Sequence, residues 1–215
     1  MSSVAITGNA AGAGVFTIAS PNSASSYTAT LPAATTTLVG TDATQTLTNK
    51  TIQGGAITSG TAVASTSGTS IDFTSIPSWV KRVTVMFDHV STNGTSNPII
   101  QLGTSGGIQA TNYRGLAAYI TGTSASTSTQ ITTGLVVWNF NSSAAAVGQG
   151  SAIFSLLDSA NGIWVMESCT ARSDTNWVNY AAGSKTLSGT LDRVRITTVN
   201  GTDTFDGGSI NILYE

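Results

Sequence analysis

The chain carries 36 threonines against two glutamates, Glu167 and Glu215, and three lysines, Lys50, Lys81 and Lys185. That imbalance restricts the backbone it can form. Thr has two heavy atoms on Cβ, which suit a pleated surface and crowd a helical turn. The straight-chain residues that favour helices are the scarce ones. No amphipathic helix stands out, whereas alternation does. Val83, Val85 and Phe87 share one face, with Arg82, Thr84 and Asp88 on the other. Val194, Ile196 and Thr198 oppose Arg193, Arg195 and Thr197, and Ile210, Ile212 and Tyr214 share a face. A period of two is the signature of a half-buried strand. Further strands are expected at 69–73, 98–102, 116–121, 131–140, 151–157, 162–169, 177–182 and 185–188. Short strands at this spacing, broken by Gly, Asn, Asp and Ser, point to an all-β sandwich or jelly roll. Pro77-Ser78-Trp79-Val80 reads as a tight bend or a single helical turn.

Charge narrows the function classes. Only 8 residues are Lys or Arg and 10 are Asp or Glu, for a net charge of −2. No basic excess is present to neutralise phosphates, so no nucleic-acid partner is expected. No apolar run reaches the roughly 18 residues of a membrane-spanning helix, so no membrane insertion is expected. Residues 1–21 hold no basic residue and no long apolar stretch, so no secretory signal is expected. One cysteine, Cys169, and one histidine, His89, give no basis for a disulfide or a cysteine or histidine metal cluster. No cofactor and no metal are expected.

Composition shifts along the chain. Residues 1–68 hold two charged side chains, Asp42 and Lys50, and no Trp, and their apolar side chains are few and small. Short strand-like pieces at 14–18, 27–31 and 37–39 are punctuated by Pro21, Pro32 and Gly40. Such a segment buries too little to fold alone. A boundary is expected in the small-residue run near 65–69, giving segments 1–68 and 69–215.

Candidates for chemistry are few. His89 after Asp88 reads as a surface or strand-edge histidine. Asp203-Thr204-Phe205-Asp206-Gly207-Gly208 has two carboxylates but fewer ligands than a calcium loop, and reads as a turn. Asp158 and Glu167 flank a strand connection and lack the setting of a glycosidase acid pair. Asn-Gly at 93–94, 161–162 and 200–201 favours tight turns. No catalytic residue is assigned, and the chain reads as a non-enzyme. Aromatic side chains are the best candidates for touching a saccharide or protein receptor, because rings give area at low entropic cost. Tyr113 beside Arg114 and Trp177 beside Tyr180 are therefore the receptor-contact candidates. For each, the alternative is packing in the sandwich core or a subunit interface. Trp79, Trp138 and Trp164 lie in apolar surroundings and are expected in the core.

Two stretches resemble known proteins. Thr37-Leu38-Val39-Gly40-Thr41-Asp42-Ala43-Thr44-Gln45-Thr46-Leu47-Thr48-Asn49-Lys50-Thr51-Ile52, preceded by Thr30-Leu31-Pro32-Ala33, resembles a segment of tail-fibre and appendage proteins of tailed bacteriophages. Ser70-Ile71-Asp72-Phe73 through Trp79-Val80-Lys81-Arg82, Leu191 through Gly201, and Gly208 through Glu215 are similar to the ends of a domain found at fibre tips. The resemblance spans about 30–60 and 69–215. It implies a virion structural protein: a homotrimeric tail fibre or fibre-like appendage with an N-terminal attachment or shaft segment and a jelly-roll-like β-sandwich. The implied partners are the chain itself, phage tail or head proteins through residues 1–68, and a host surface glycan or protein. A capsid decoration or head-fibre protein is the alternative. A secreted lectin or carbohydrate-active sandwich is the reading from a different class.

Overall fold

Strand alternation governs the backbone throughout the computed structural model of the chain. It describes residues 12, 24–26, 57–122, 124–127, 130–139 and 143–215. The strand-like pieces expected at 14–18, 27–31 and 37–39 lie outside the described residues. Among those described, the regular elements are all strands. They are β1 (Thr58–Ser59), β2 (Val63–Ala64), β3 (Ser70–Phe73), β4 (Arg82–Thr92), β5 (Pro98–Thr104), β6 (Gly107–Ile108) and β7 (Arg114–Thr121). There follow β8 (Ser124–Thr127), β9 (Leu135–Val136), β10 (Gly148–Asp158), β11 (Ile163–Arg172), β12 (Trp177–Thr186), β13 (Arg193–Thr198) and β14 (Phe205–Tyr214). No helix among them is long and apolar enough to cross a membrane.

The strands form two antiparallel sheets. The nine-stranded sheet runs β1-β14-β4-β10-β11-β12-β7-β8, with β2 also on β14. The five-stranded sheet runs β3-β13-β5-β6, with β9 also on β5. From β2 to β5, and again from β12 to β14, successive strands alternate between sheets. This is consistent with the expected jelly-roll-like sandwich, while β10, β11 and β12 form a meander within one sheet. The expected faces are those observed. Val83, Val85 and Phe87 of β4 and Val194 and Ile196 of β13 are buried, as are Ile210 and Ile212 of β14. They join one hydrophobic cluster drawn from both sheets.

Leu135 shows how close the layers come. It belongs to β9, which pairs with β5, yet it seats against the other sheet where Gly115 of β7 pairs with Gly183 of β12. A Cβ at Gly183 would lie 2.4 Å from Leu135 Cδ2 and 2.5 Å from the Arg114 carbonyl oxygen. Only glycine leaves room there. A second special point is His89, at φ 51°. Register shifts on both neighbouring strands meet near it, so β4 bulges and His89 projects to solvent. Its Nδ1 lies 2.7 Å from Asp88 Oδ1.

Several expectations need correction. Residues 58–65 are not part of a separate N-terminal segment. Thr58 pairs with Tyr214 and Val63 with Ile210, and the Ser65 amide donates to the Gly208 carbonyl at 2.9 Å. The larger compact unit is Thr51–Glu215, so the boundary lies earlier than 65–69. The tie is backbone hydrogen bonding along β14, which side-chain composition does not report. Among the described residues of 131–140 only Leu135–Val136 is strand, because this segment crosses the space between the sheets. The pieces at 177–182 and 185–188 merge into β12. Trp79 is 52% exposed: the bend closed by the Val80 amide on the Pro77 carbonyl buries Val80 instead, and the Trp79 ring rests tilted on Tyr214. Trp138 and Trp164 are in the core.

Gly183→Ala is expected to destabilise the chain by about 1–3 kcal/mol through overpacking against Leu135. Exposed Ala182→Ser should stay within about 0.5 kcal/mol. Denaturant midpoints measure both, and an unchanged midpoint for Gly183→Ala would contradict this seating of Leu135.

Candidate functional site

A groove of about 1020 Å³ opens where the loop after β6 meets the end of β12. Local hydrogen bonds build it. The Gln109 amide donates to the Leu102 carbonyl at 3.0 Å, and Asn112 turns the chain at φ 61°. The Tyr113 amide then donates to the Thr132 carbonyl at 3.1 Å. Across the groove, Gln109 Nε2 donates to Ser188 Oγ at 2.5 Å, and the Ser188 amide donates to Gln109 Oε1 at 3.3 Å. These two bonds tie the loop to the end of β12.

Lys185 lies beneath this groove at 4% exposure. Its Nζ donates to the Thr111 carbonyl at 2.8 Å and sits 5.0 Å from the centre of the Tyr113 ring. Burial lowers its pKa from the usual lysine value, because the charged form loses hydration. Arg114 is exposed and also lines the groove. Among the described residues no Asp or Glu lines it; amides and hydroxyls such as Gln109, Gln130, Thr132 and Ser188 do. The arrangement offers two cations and many groups that pair with hydroxyls.

The second surface is the outward face of the nine-stranded sheet. Ala117 and Ala181 point into the core, so the alternate positions point out. Register aligns Ile153, Glu167, Ala182 and Leu116 in one row, and Ser151, Cys169, Tyr180 and Ala118 in the next. Leu116 is 51% exposed, Ile120 46% and Tyr180 50%. Glu167 is the one carboxylate in these two rows. Arg114 lies on this face two residues before Leu116, so the face reaches the rim of the groove.

The four receptor-contact candidates are not brought together. Tyr113 takes the core-packing alternative, at 1% exposure. Its hydroxyl accepts from the Leu102 amide at 2.6 Å and lies 3.3 Å from the Leu102 carbonyl, and burial pushes its pKa well above the ordinary tyrosine value. Arg114 rims the groove. Trp177 stacks flat on Tyr119, 4.6 Å between ring centres and 8° between planes, with the Arg172 guanidinium 4.7 Å from its ring centre. Tyr180 stands on the opposite face of β12 from Trp177, three residues away. Lys185 was missed by sequence reasoning, although a lysine in phase with inward Asn179 and Ala181 is a readable signal. Leu116 and Ile120 were missed as a surface because β7 is apolar on both faces.

The other motifs have structural partners. Asp203 Oδ2 accepts from the Ser96 amide at 2.9 Å and Oδ1 from Asn200 Nδ2 at 2.6 Å, while Asp206 accepts from Ser91. Among the described residues, no group of three or more His, Cys, Asp or Glu could hold a metal ion. Asp158 caps its own turn through the Ala160 and Asn161 amides. It pairs with Ile163, four residues along β11 from Glu167, which separates the two acids by about 13 Å at strand rise. Glycosidase acid pairs stand roughly 5–10 Å apart.

Arg172 Nε donates to Asp174 Oδ1 at 3.0 Å, a bond that holds the Asp174 pKa below the ordinary carboxylate value. This pair steadies the turn that carries Trp177. Asp174→Asn should lower the Tm by about 2–8 °C at neutral pH. The lowered native pKa means that the stabilisation is complete above the unfolded carboxyl pKa and fades as pH falls through the native one. The gap between wild type and variant should therefore narrow in acid; a gap independent of pH would refute the assignment.

Comparison of the chain with protein-family models, with curated proteins and with solved structures returns no match.

Proposed function

We propose that the chain is a structural protein of a bacteriophage particle: a trimeric tail fibre or fibre-like appendage whose β body faces outward for host-surface recognition. The observation that carries this reading is the outward sheet face. Leu116, Ile120 and Tyr180 stand exposed on a nearly charge-free surface, in a chain where most apolar strand residues are buried. A face of this kind is ordinarily covered, and a second copy is its best occupant. Two copies that meet there bring little like charge together, because Glu167 is the one carboxylate in its central rows. The all-β architecture and the resemblance of residues 30–60 and 69–215 to fibre proteins support the same reading. The alternative, a capsid decoration or head-fibre protein, shares the attachment logic and differs in location. No residue is proposed as catalytic.

Light scattering on the purified chain should give a native mass of about 65 kDa, three times the 21.8 kDa of one chain. Leu116→Asp with Ile120→Asp should reduce it to the mass of one chain. A wild-type mass of 21.8 kDa would overturn the trimer.

Antibody against residues 69–215 should label intact particles of the phage encoding the chain. Label on the tail supports the fibre, label on the head supports the alternative, and no label removes both.

A further inference from the structure

We propose that the groove beneath the Gln109–Asn112 loop binds an acidic glycan, a polyhydroxylated saccharide bearing carboxylate or phosphate groups. This deepens the host-surface reading and rests on it for the source of the glycan, but not for the chemistry of the groove.

The argument starts from how this chain uses its arginines. Arg82 pairs with Glu215, Arg172 with Asp174, Arg193 with Asp192 and Arg195 with Asp72. Arg114 is the exception: among the described residues no carboxylate lies within ion-pair distance of it, nor of Lys185. A buried cation is ordinarily paired with an acid. Lys185 is instead held by a neutral carbonyl and the face of a ring, both of which steady the ammonium without cancelling its charge. Two cations with no carboxylate partner among the described residues thus share one cavity in a chain whose net charge is −2. The local field favours an anion that the overall charge would repel.

The rest of the lining selects the anion's kind. Amides and hydroxyls from Gln109, Gln130, Thr132 and Ser188 both donate and accept, as a sugar hydroxyl does. The Gln109–Ser188 bonds hold two of them in place before any ligand arrives. The groove's roughly 1020 Å³ is at the top of the range for small-molecule sites and admits an oligosaccharide. Tyr113, the groove's aromatic, lies under Lys185 and is too buried to stack on a sugar ring. Recognition therefore depends on charge and hydrogen bonds, and a neutral glycan of the same length lacks the main attraction.

Calorimetry on the full chain tests this with three probes: an oligogalacturonate, its methyl ester, and a phosphorylated mannan oligosaccharide. At least one charged probe should bind, and the ester should bind at least tenfold more weakly than the acid where the acid binds. Binding of one charged probe alone assigns carboxylate or phosphate as the anion. Added salt should weaken binding. Arg114→Gln, on the exposed rim, should lower affinity about threefold to fivefold without altering the fold, and Lys185→Met should lower it further. Failure of both charged probes, equal binding of acid and ester, or unchanged affinity in Arg114→Gln would overturn the proposal. Particle labelling and probe binding are independent, so the virion reading and the groove can fail separately.

Discussion

The segment Leu135–Trp138 joins the two sheets, and the rest of the body is arranged around it. All four side chains are buried. By backbone pairing the segment belongs to the smaller sheet: Val136 faces Ile99, and the Val137 amide donates to the Pro98 carbonyl at 3.2 Å. By side chain it belongs to the larger one. Leu135 fits between Gly115 and Gly183, and Trp138 meets Phe87 edge to face at 4.8 Å. The Val137 carbonyl accepts from Ser168 Oγ at 3.2 Å, so a polar tie crosses the same gap. Burying a side chain of this size contributes about 1.5–3 kcal/mol relative to exposure. Gly115 follows Arg114, and Gly183 stands two residues before Lys185. The seating of Leu135 therefore also fixes the spacing of the two groove cations.

A chain this poor in charge must hold its loops by other means. Asn200 and Asp203 cross-brace the ends of β4, β5 and β13 through amides and a hydroxyl, and Gln109 and Ser188 do the same at the groove. The neutral bonds among these contribute about 1 kcal/mol each, and those accepted by the Asp203 carboxylate about 1.5–3 kcal/mol. Ion pairs are kept for particular places. Arg195 and Asp72 face one another in register on β13 and β3 and bond twice at 2.7 Å, which clamps the outer edge of the smaller sheet.

Much of the fold was legible because alternation and burial coincide. In β4, β13 and β14 every inward position expected to be apolar is buried up to Ile212. What escaped the sequence was backbone work. Residues 58–65 look like tether by composition, yet their amides and carbonyls complete the edge of β14. Trp79 is apolar by type, but the bend at Pro77–Val80 points its neighbour inward in its place. The site was legible only in part. Arg114 was found beside Tyr113 as a loop pair. The structure divides that pair, sending Tyr113 into the core as a platform for Lys185 and leaving Arg114 at the rim. Sequence order places those two residues together, whereas Lys185 stands 72 positions after Tyr113 on β12, and its inward phase does not say which loop it meets.

The outward face and the groove are proposed for different partners, yet they meet at Arg114 and Leu116. That adjacency bears on affinity. A single exposed cation contributes little, about 0–1 kcal/mol for an ion pair in water, so one groove alone would hold an acidic glycan weakly. Copies associated through Leu116 and Ile120 would carry one groove apiece, each near the margin of the contact. A repeating surface polysaccharide could then engage several grooves at once, and the second engagement would occur at high effective concentration. Weak sites at fixed spacing discriminate between a dense surface polymer and free sugar, which a single tight site does not. On this argument the charge-poor association face and the cationic groove serve one task. The face sets the number and spacing of the sites, and the groove sets their chemistry.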